Sequence, residues 1–85
     1  LRLVYIEEAR LRLGVIASKR TFRRAVDRNQ AKRKMREAYR QNRMRFKKGV
    51  DVILVARGKL LQAEAKDIEY ELIVLAQRAG LLERD

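Results

Sequence analysis

Residues 1–8 (LRLVYIEE) and 11–18 (LRLGVIAS) alternate apolar and polar positions over part of their length, and both are rich in Val, Ile, Leu and Tyr. This period-two pattern predicts two strands joined by a short turn around Ala9-Arg10. On the second strand Leu11, Leu13, Val15 and Ala17 share one face, and Arg12, Gly14, Ile16 and Ser18 share the other. From about Ala25 to Arg45 the pattern becomes helical. Good helix formers dominate, and neither Gly nor Pro interrupts. Lys47 and Lys48 suit a helix C-terminus, and Gly49 suits a left-handed cap or a turn. Residues 50–57 (VDVILVAR) are too short for a helix and apolar on both faces, which predicts a buried central strand. GKL (58–60) then turns the chain. Residues 63–79 read as a second helix, with Ile68, Leu72, Leu75, Ala76 and Ala79 as its core-facing stripe. Gly80 is the expected stop, and Leu81-Leu82 are expected to pack back over it.

The order ββαβα predicts an α+β two-layer sandwich, a small sheet with two helices. Eighty-five residues allow one modest core. A linker inside the chain would leave two pieces too small to fold, so residues 1–85 read as a single domain. The chain opens on Leu1 rather than Met, which points to a trimmed version of something longer.

The chain has no Cys and no His. Disulfides, Cys/His zinc sites, thiol nucleophiles and imidazole bases are thereby excluded. Asp51, Glu64, Asp67, Glu69 and Glu71 are scattered and make no convincing acid–base pair. Neither a catalytic residue nor a metal site is expected on the chain. No apolar run approaches the roughly 20 residues that span a bilayer. The absence of Cys fits a reducing compartment.

Charge changes the picture most. The net charge is +11, and residues 19–48 hold fourteen Lys or Arg against Asp27 and Glu37 alone. The rest of the chain holds eight basic and nine acidic groups. The excess therefore sits in one segment of an otherwise balanced domain, which implies a polyanionic partner.

Helical arithmetic sorts this segment into two faces. At about 100° per residue, Arg28, Lys32, Arg43, Arg36, Asn29, Arg40 and Arg33 fall within roughly 140° of arc. Ala31, Met35, Ala38 and Tyr39 fall on a neighbouring arc of about 100°. A core seam thus lies beside a cationic wall, with Lys34 and Glu37 outside both arcs. The like-charge pairs Arg28/Lys32, Lys32/Arg36 and Arg36/Arg40 each destabilise an isolated helix by about 0.2–0.5 kcal/mol. An arrangement that weakens the helix points to binding. Arg predominates, and its planar fork holds phosphate bidentately and stacks on bases. Asn29 adds an amide that both donates and accepts.

The stretch RNQAKRKMR (28–36) has the spacing R-N-x-x-K-R-x-x-R, which resembles the basic signature of the bacterial ribonuclease P protein subunit. LRLGVIASKR (11–20), RAVDRN (24–29), GVDVILVAR (49–57) and AQRAGLL (76–82) resemble the family's flanking segments in the same order. The resemblance implies a protein without catalytic residues. A large RNA subunit binds Mg²⁺ and cleaves precursor tRNA at the mature 5′ end, and the protein itself binds no cofactor. Arg28, Asn29, Lys32, Arg33, Arg36 and Arg40 would face that catalytic RNA. Tyr5, Lys19, Arg20 and Arg24 would border a cleft for the substrate's 5′ leader, with Tyr5 as a stacking platform. A left-handed crossover around the basic helix, a cytoplasmic location, and no membrane or required protein partner are also implied. The chain departs from the family at three points. The usual N-terminal helix before the first strand is missing, Arg23 replaces a usual Gly, and the loop between the first two strands is short.

Other binding classes fit less well. A helix-turn-helix DNA reader needs a preceding helix, and strands precede this one. A KH module needs a G-x-x-G loop, and none occurs. A membrane-surface helix would want bulkier anchors than Ala31, Met35 and Ala38. A ribosomal or other structural-RNA binder is the alternative that the charge pattern suits equally well.

Overall fold

The computed structural model describes residues 2–7, 13–47 and 50–83. Strand β1 covers Arg2–Glu7, β2 Leu13–Ile16 and β3 Val50–Val55, while helix α1 covers Ala25–Asn42 and α2 Ala65–Arg78. The α+β order ββαβα is as predicted, and the elements form one layer of strands against one layer of helices. The expected turn at Ala9-Arg10 and the cap at Gly49 lie outside the described residues.

The two N-terminal strands do not pair with each other. The sheet order is β1-β3-β2, with β3 antiparallel to β1 and parallel to β2. The more continuously apolar strand takes the centre because it alone has neighbours on both edges. Because β2 and β3 are parallel neighbours, α1 is the crossover between them.

Period-two geometry divides the sheet into two faces. Val52 and Leu54 are fully buried and stand opposite Leu13 and Val15. They join one core with Met35, Ile68, Leu72 and Leu81. Ile53 and Val55 stand opposite Gly14 and Ile16 and are only half-buried, and Ile16 is 47% exposed. The central strand is therefore covered on one face and partly open on the other, where its sequence predicted burial on both.

Helix α1 buries Ala31, Met35, Ala38 and Tyr39, the predicted seam. It ends earlier than predicted. A 3₁₀ turn at Arg43–Arg45 follows Asn42, and Phe46 is extended and buried. The cause is local. Asn42 Nδ2 donates to Ala38 O at 2.9 Å, and the Phe46 ring packs on Tyr39 with centroids 5.0 Å apart. The chain turns to seat Phe46 before it reaches Lys47.

The β3–α2 connection contains an unpredicted 3₁₀ segment, Gly58–Gln62, which buries Leu60. Lys34 of α1 reaches over and donates from Nζ to Leu61 O at 2.7 Å and Ala63 O at 3.3 Å. Lys34 lies outside the cationic arc, and from there its charge ties the connection to α1. Helix α2 buries Ile68, Leu72 and Ala76, with Leu75 and Ala79 half-buried. Gly80 stops it at φ 73°, a left-handed conformation that suits glycine. Gly80 N donates to Gln77 O at 3.1 Å and Leu81 N to Ala76 O at 2.9 Å, a Schellman closure. Leu81 is thereby folded into the core, as predicted.

Candidate nucleic-acid interface

The interface is built on α1 and the loop that feeds it. Ser18 closes this loop: its carbonyl accepts from Phe22 N at 2.9 Å, and its Oγ accepts from Thr21 N at 3.2 Å. Phe22 is buried and anchors the far side. Lys19, Arg20, Arg23 and Arg24 are left exposed around this turn. Arg24 is also the N-cap residue of α1, with no side-chain cap, and Asp27 places an acid in the first turn, where the helix dipole favours it.

Asn29, Arg33, Arg36 and Arg40 project from the exposed side of α1, while Arg28 and Lys32 are half-buried at its edge. Arg28 has a second task. Its Nη1 donates to Phe22 O and Arg23 O, both at 3.0 Å. One signature arginine thus fixes the loop carrying the other cations relative to the helix.

Arg40 is held by a neighbour on its own helix. Its Nε and Nη2 donate to the Glu37 carboxylate at 3.3 and 2.6 Å. Those bonds, followed by one from Gln41, hold the Glu37 carboxyl below its ordinary pKa, and Glu37 holds Arg40 above its own. Arg40 is the one wall residue whose charge is locally compensated among the described residues.

Arg36, Arg40 and Arg43 line a hollow of about 360 Å³ with Tyr39 and Leu13, where α1 meets the edge strand β2. Arg43 lies on the predicted cationic arc but is not among the candidate residues; the arc itself is the signal that could have added it. Tyr39 Oη is buried and without a hydrogen-bond partner among the described residues, and burial raises its pKa. Tyr5 pairs in register with Val52, and its side chain lies outside the described set. The structure thus brings the signature residues onto one helix face, with Lys19, Arg20 and Arg24 at its entry. Among the described residues, no group of three acidic side chains converges as a metal site would require.

The model of the Ribonuclease P family matches residues 1–80. This chain belongs to that family. The ribonuclease P protein component of Clostridium botulinum (strain Langeland) is 42% identical over 71 residues, which cover 82% of this chain and 63% of the relative. The chain therefore spans less than two thirds of the length of such relatives. The fold is that of solved ribonuclease P proteins. The Staphylococcus aureus protein superposes with a TM-score of 0.76 at 24% identity, over 95% of this chain and 75% of the other. The Thermotoga maritima protein gives 0.77 at 23% identity, over 89% and 74%. Within the family match, the basic signature lies along α1, with Asn29, Arg33 and Arg36 exposed and Arg28 and Lys32 half-buried at its edge.

Proposed function

We propose that this chain acts as the protein subunit of a bacterial ribonuclease P and binds the catalytic RNA through the outer face of α1. The observation that carries the proposal is the exposed row Asn29, Arg33, Arg36 and Arg40, with Arg28 and Lys32 at its edge, inside a segment the family model matches. Guanidinium groups spaced along one helix face meet successive phosphates of a folded RNA. The alternative, a structural-RNA binder without a role in tRNA processing, suits the charge but not the family match.

In this proposal the RNA supplies the chemistry, and Mg²⁺ serves the RNA. Among the described residues, no three acidic side chains converge as a resident metal would require. The chain contributes position and charge. Arg28 orients the loop from Ser18 to Arg24. Lys19, Arg20 and Arg24 border the path of the substrate's 5′ leader, together with Tyr5 on β1. Precursor tRNA is the proposed substrate of the complex. No helix among the described residues is long and apolar enough to cross a membrane. The proposed location is the cytoplasm, where precursor tRNA is made, and no further protein partner is required.

Reconstitution tests the proposal. Precursor-tRNA cleavage by a ribonuclease P RNA at low Mg²⁺ is expected to accelerate when this chain is added. An unchanged rate and an unchanged Mg²⁺ requirement would contradict it. Tyr5→Ala is expected to weaken precursor binding more than mature tRNA binding, and equal effects would remove Tyr5 from the leader path.

A further inference from the structure

Helix α2 turns Ile68, Leu72 and Ala76 into the core. Beside that stripe, Lys66, Tyr70, Ile73 and Gln77 recur at intervals of four, three and four residues and so share a second face. This face looks onto the short segment that follows α1. Asn42, Arg45, Lys66, Glu69, Tyr70 and Ile73 line a groove of about 300 Å³ there. Past Arg45 and Ile73 it continues into a second hollow of about 380 Å³, bordered by Lys47 and Gln77.

Backbone hydrogen bonds set the far wall. Lys47 N donates to Leu81 O at 2.7 Å and Glu83 N to Arg45 O at 2.8 Å, and Phe46 forms a β-bridge with Leu82. The near wall is the helix itself. The backbone of Arg45 is therefore held beside the helix before any ligand arrives, which lowers the ordering cost of binding.

Its lining is unlike the rest of α2. Tyr70 is 73% exposed, so its ring contributes little to the core. Two cations flank it. Lys66 is paired with Glu64 at 3.6 Å, but both side chains are largely exposed, so a phosphate displaces that pair at little cost. Arg45 has no ion pair among the described residues. The acid in the groove, Glu69, accepts a hydrogen bond from Asn42 Nδ2 at 2.9 Å. An exposed aromatic face between two cations is complementary to an unpaired base and its flanking phosphates.

We infer that this groove binds an unpaired stretch of RNA, with one base stacked on Tyr70 and the neighbouring phosphates held by Arg45 and Lys66. The inference rests on the RNA-binding reading above and adds a contact away from the cationic wall. The groove lies past the C-terminal end of α1, at Asn42 and Arg45, whereas the signature cations run from Arg28 to Arg36 nearer its start.

The experiment uses the whole chain and three labelled RNAs: a single-stranded hexaribonucleotide, a ribonuclease P RNA and a precursor tRNA. Affinities are measured for wild type, Tyr70→Ala, Tyr70→Phe and Arg36→Ala. The expected result is that Tyr70→Ala weakens binding of at least one RNA by about fivefold or more, the low end for loss of a base–aromatic stack. Tyr70→Phe is expected to restore it. The RNA affected identifies the source of the unpaired stretch. A smaller effect of Tyr70→Ala on all three RNAs overturns the inference, as does a Tyr70→Phe that binds as weakly as Tyr70→Ala. If Arg36→Ala weakens binding while Tyr70→Ala does not, the groove fails alone. If wild type binds none of the RNAs, the RNA-binding reading fails with it.

Discussion

Arg28 donates from its guanidinium Nη1 to the carbonyl oxygen of Phe22 at 3.0 Å, joining the basic helix to the loop before it. The same nitrogen reaches Arg23 O at 3.0 Å. A lysine at this position keeps the charge, but its side chain is one atom shorter than the path to Nη1, so its ammonium falls short of the two carbonyls. Arg28→Lys is expected to lower stability by about 1.5–3 kcal/mol, the range for hydrogen bonds to a charged group. A urea titration reads this as a lower midpoint. The salt dependence of RNA binding is expected to stay close to wild type, because the formal charge is unchanged.

Tyr39 presents the opposite case, a polar atom that the fold leaves unserved. Its hydroxyl is buried without a partner among the described residues, while its ring packs on Phe46. An unsatisfied buried hydroxyl costs about 1–3 kcal/mol. Tyr39→Phe keeps the ring contact and removes that cost, so it is expected to stabilise the protein by about 1 kcal/mol. Thermal unfolding at matched protein concentration provides the comparison.

On the proposed reading, Glu37 competes with RNA for Arg40. Its folded pKa is lowered, first by the Arg40 hydrogen bond and then by that of Gln41. Its contribution to stability is therefore present above the unfolded carboxylate pKa and is lost as pH falls through the folded value. Glu37→Gln is expected to remove this acid-side dependence, as comparative unfolding between neutral pH and the carboxylate range would show. It is also expected to free Arg40 for phosphate, tightening RNA binding and steepening its salt dependence by up to roughly 0.7–0.9 in log–log slope. Weaker RNA binding by Glu37→Gln would mean that Glu37 positions Arg40 for RNA instead of competing for it.

The helices were more legible in the sequence than their ends or the sheet order. Ala31, Met35, Ala38 and Tyr39 recur at helical spacing, so the seam of α1 follows from periodicity alone. Its end does not, because it depends on where the Phe46 ring finds Tyr39, a contact that local propensity does not encode. Gly80 was readable because a left-handed cap needs glycine. The place of β3 between β1 and β2 is a long-range pairing. Its apolar run showed that it was central without showing its partners. The cationic wall was legible as an arc. The two-carbonyl reach of Arg28 and the tie from Lys34 to Leu61 were not, because both depend on loops whose paths the spacing does not fix.

The central claim is that the outer face of α1 holds the RNA, and the salt dependence of binding tests it most directly. A ribonuclease P RNA is titrated over a range of salt with wild type, with the double variant Arg33→Ala/Arg36→Ala, and with Lys34→Met, which removes one charge off the wall, as a control. Each lost phosphate contact reduces the log–log slope by roughly 0.7–0.9. The double variant is expected to bind more weakly, with a slope lower by roughly 1.4–1.8 for two such contacts, while Lys34→Met keeps the wild-type slope and loses only stability. A double variant with the wild-type slope, or a Lys34→Met slope that falls as far as that of the double variant, would contradict the account.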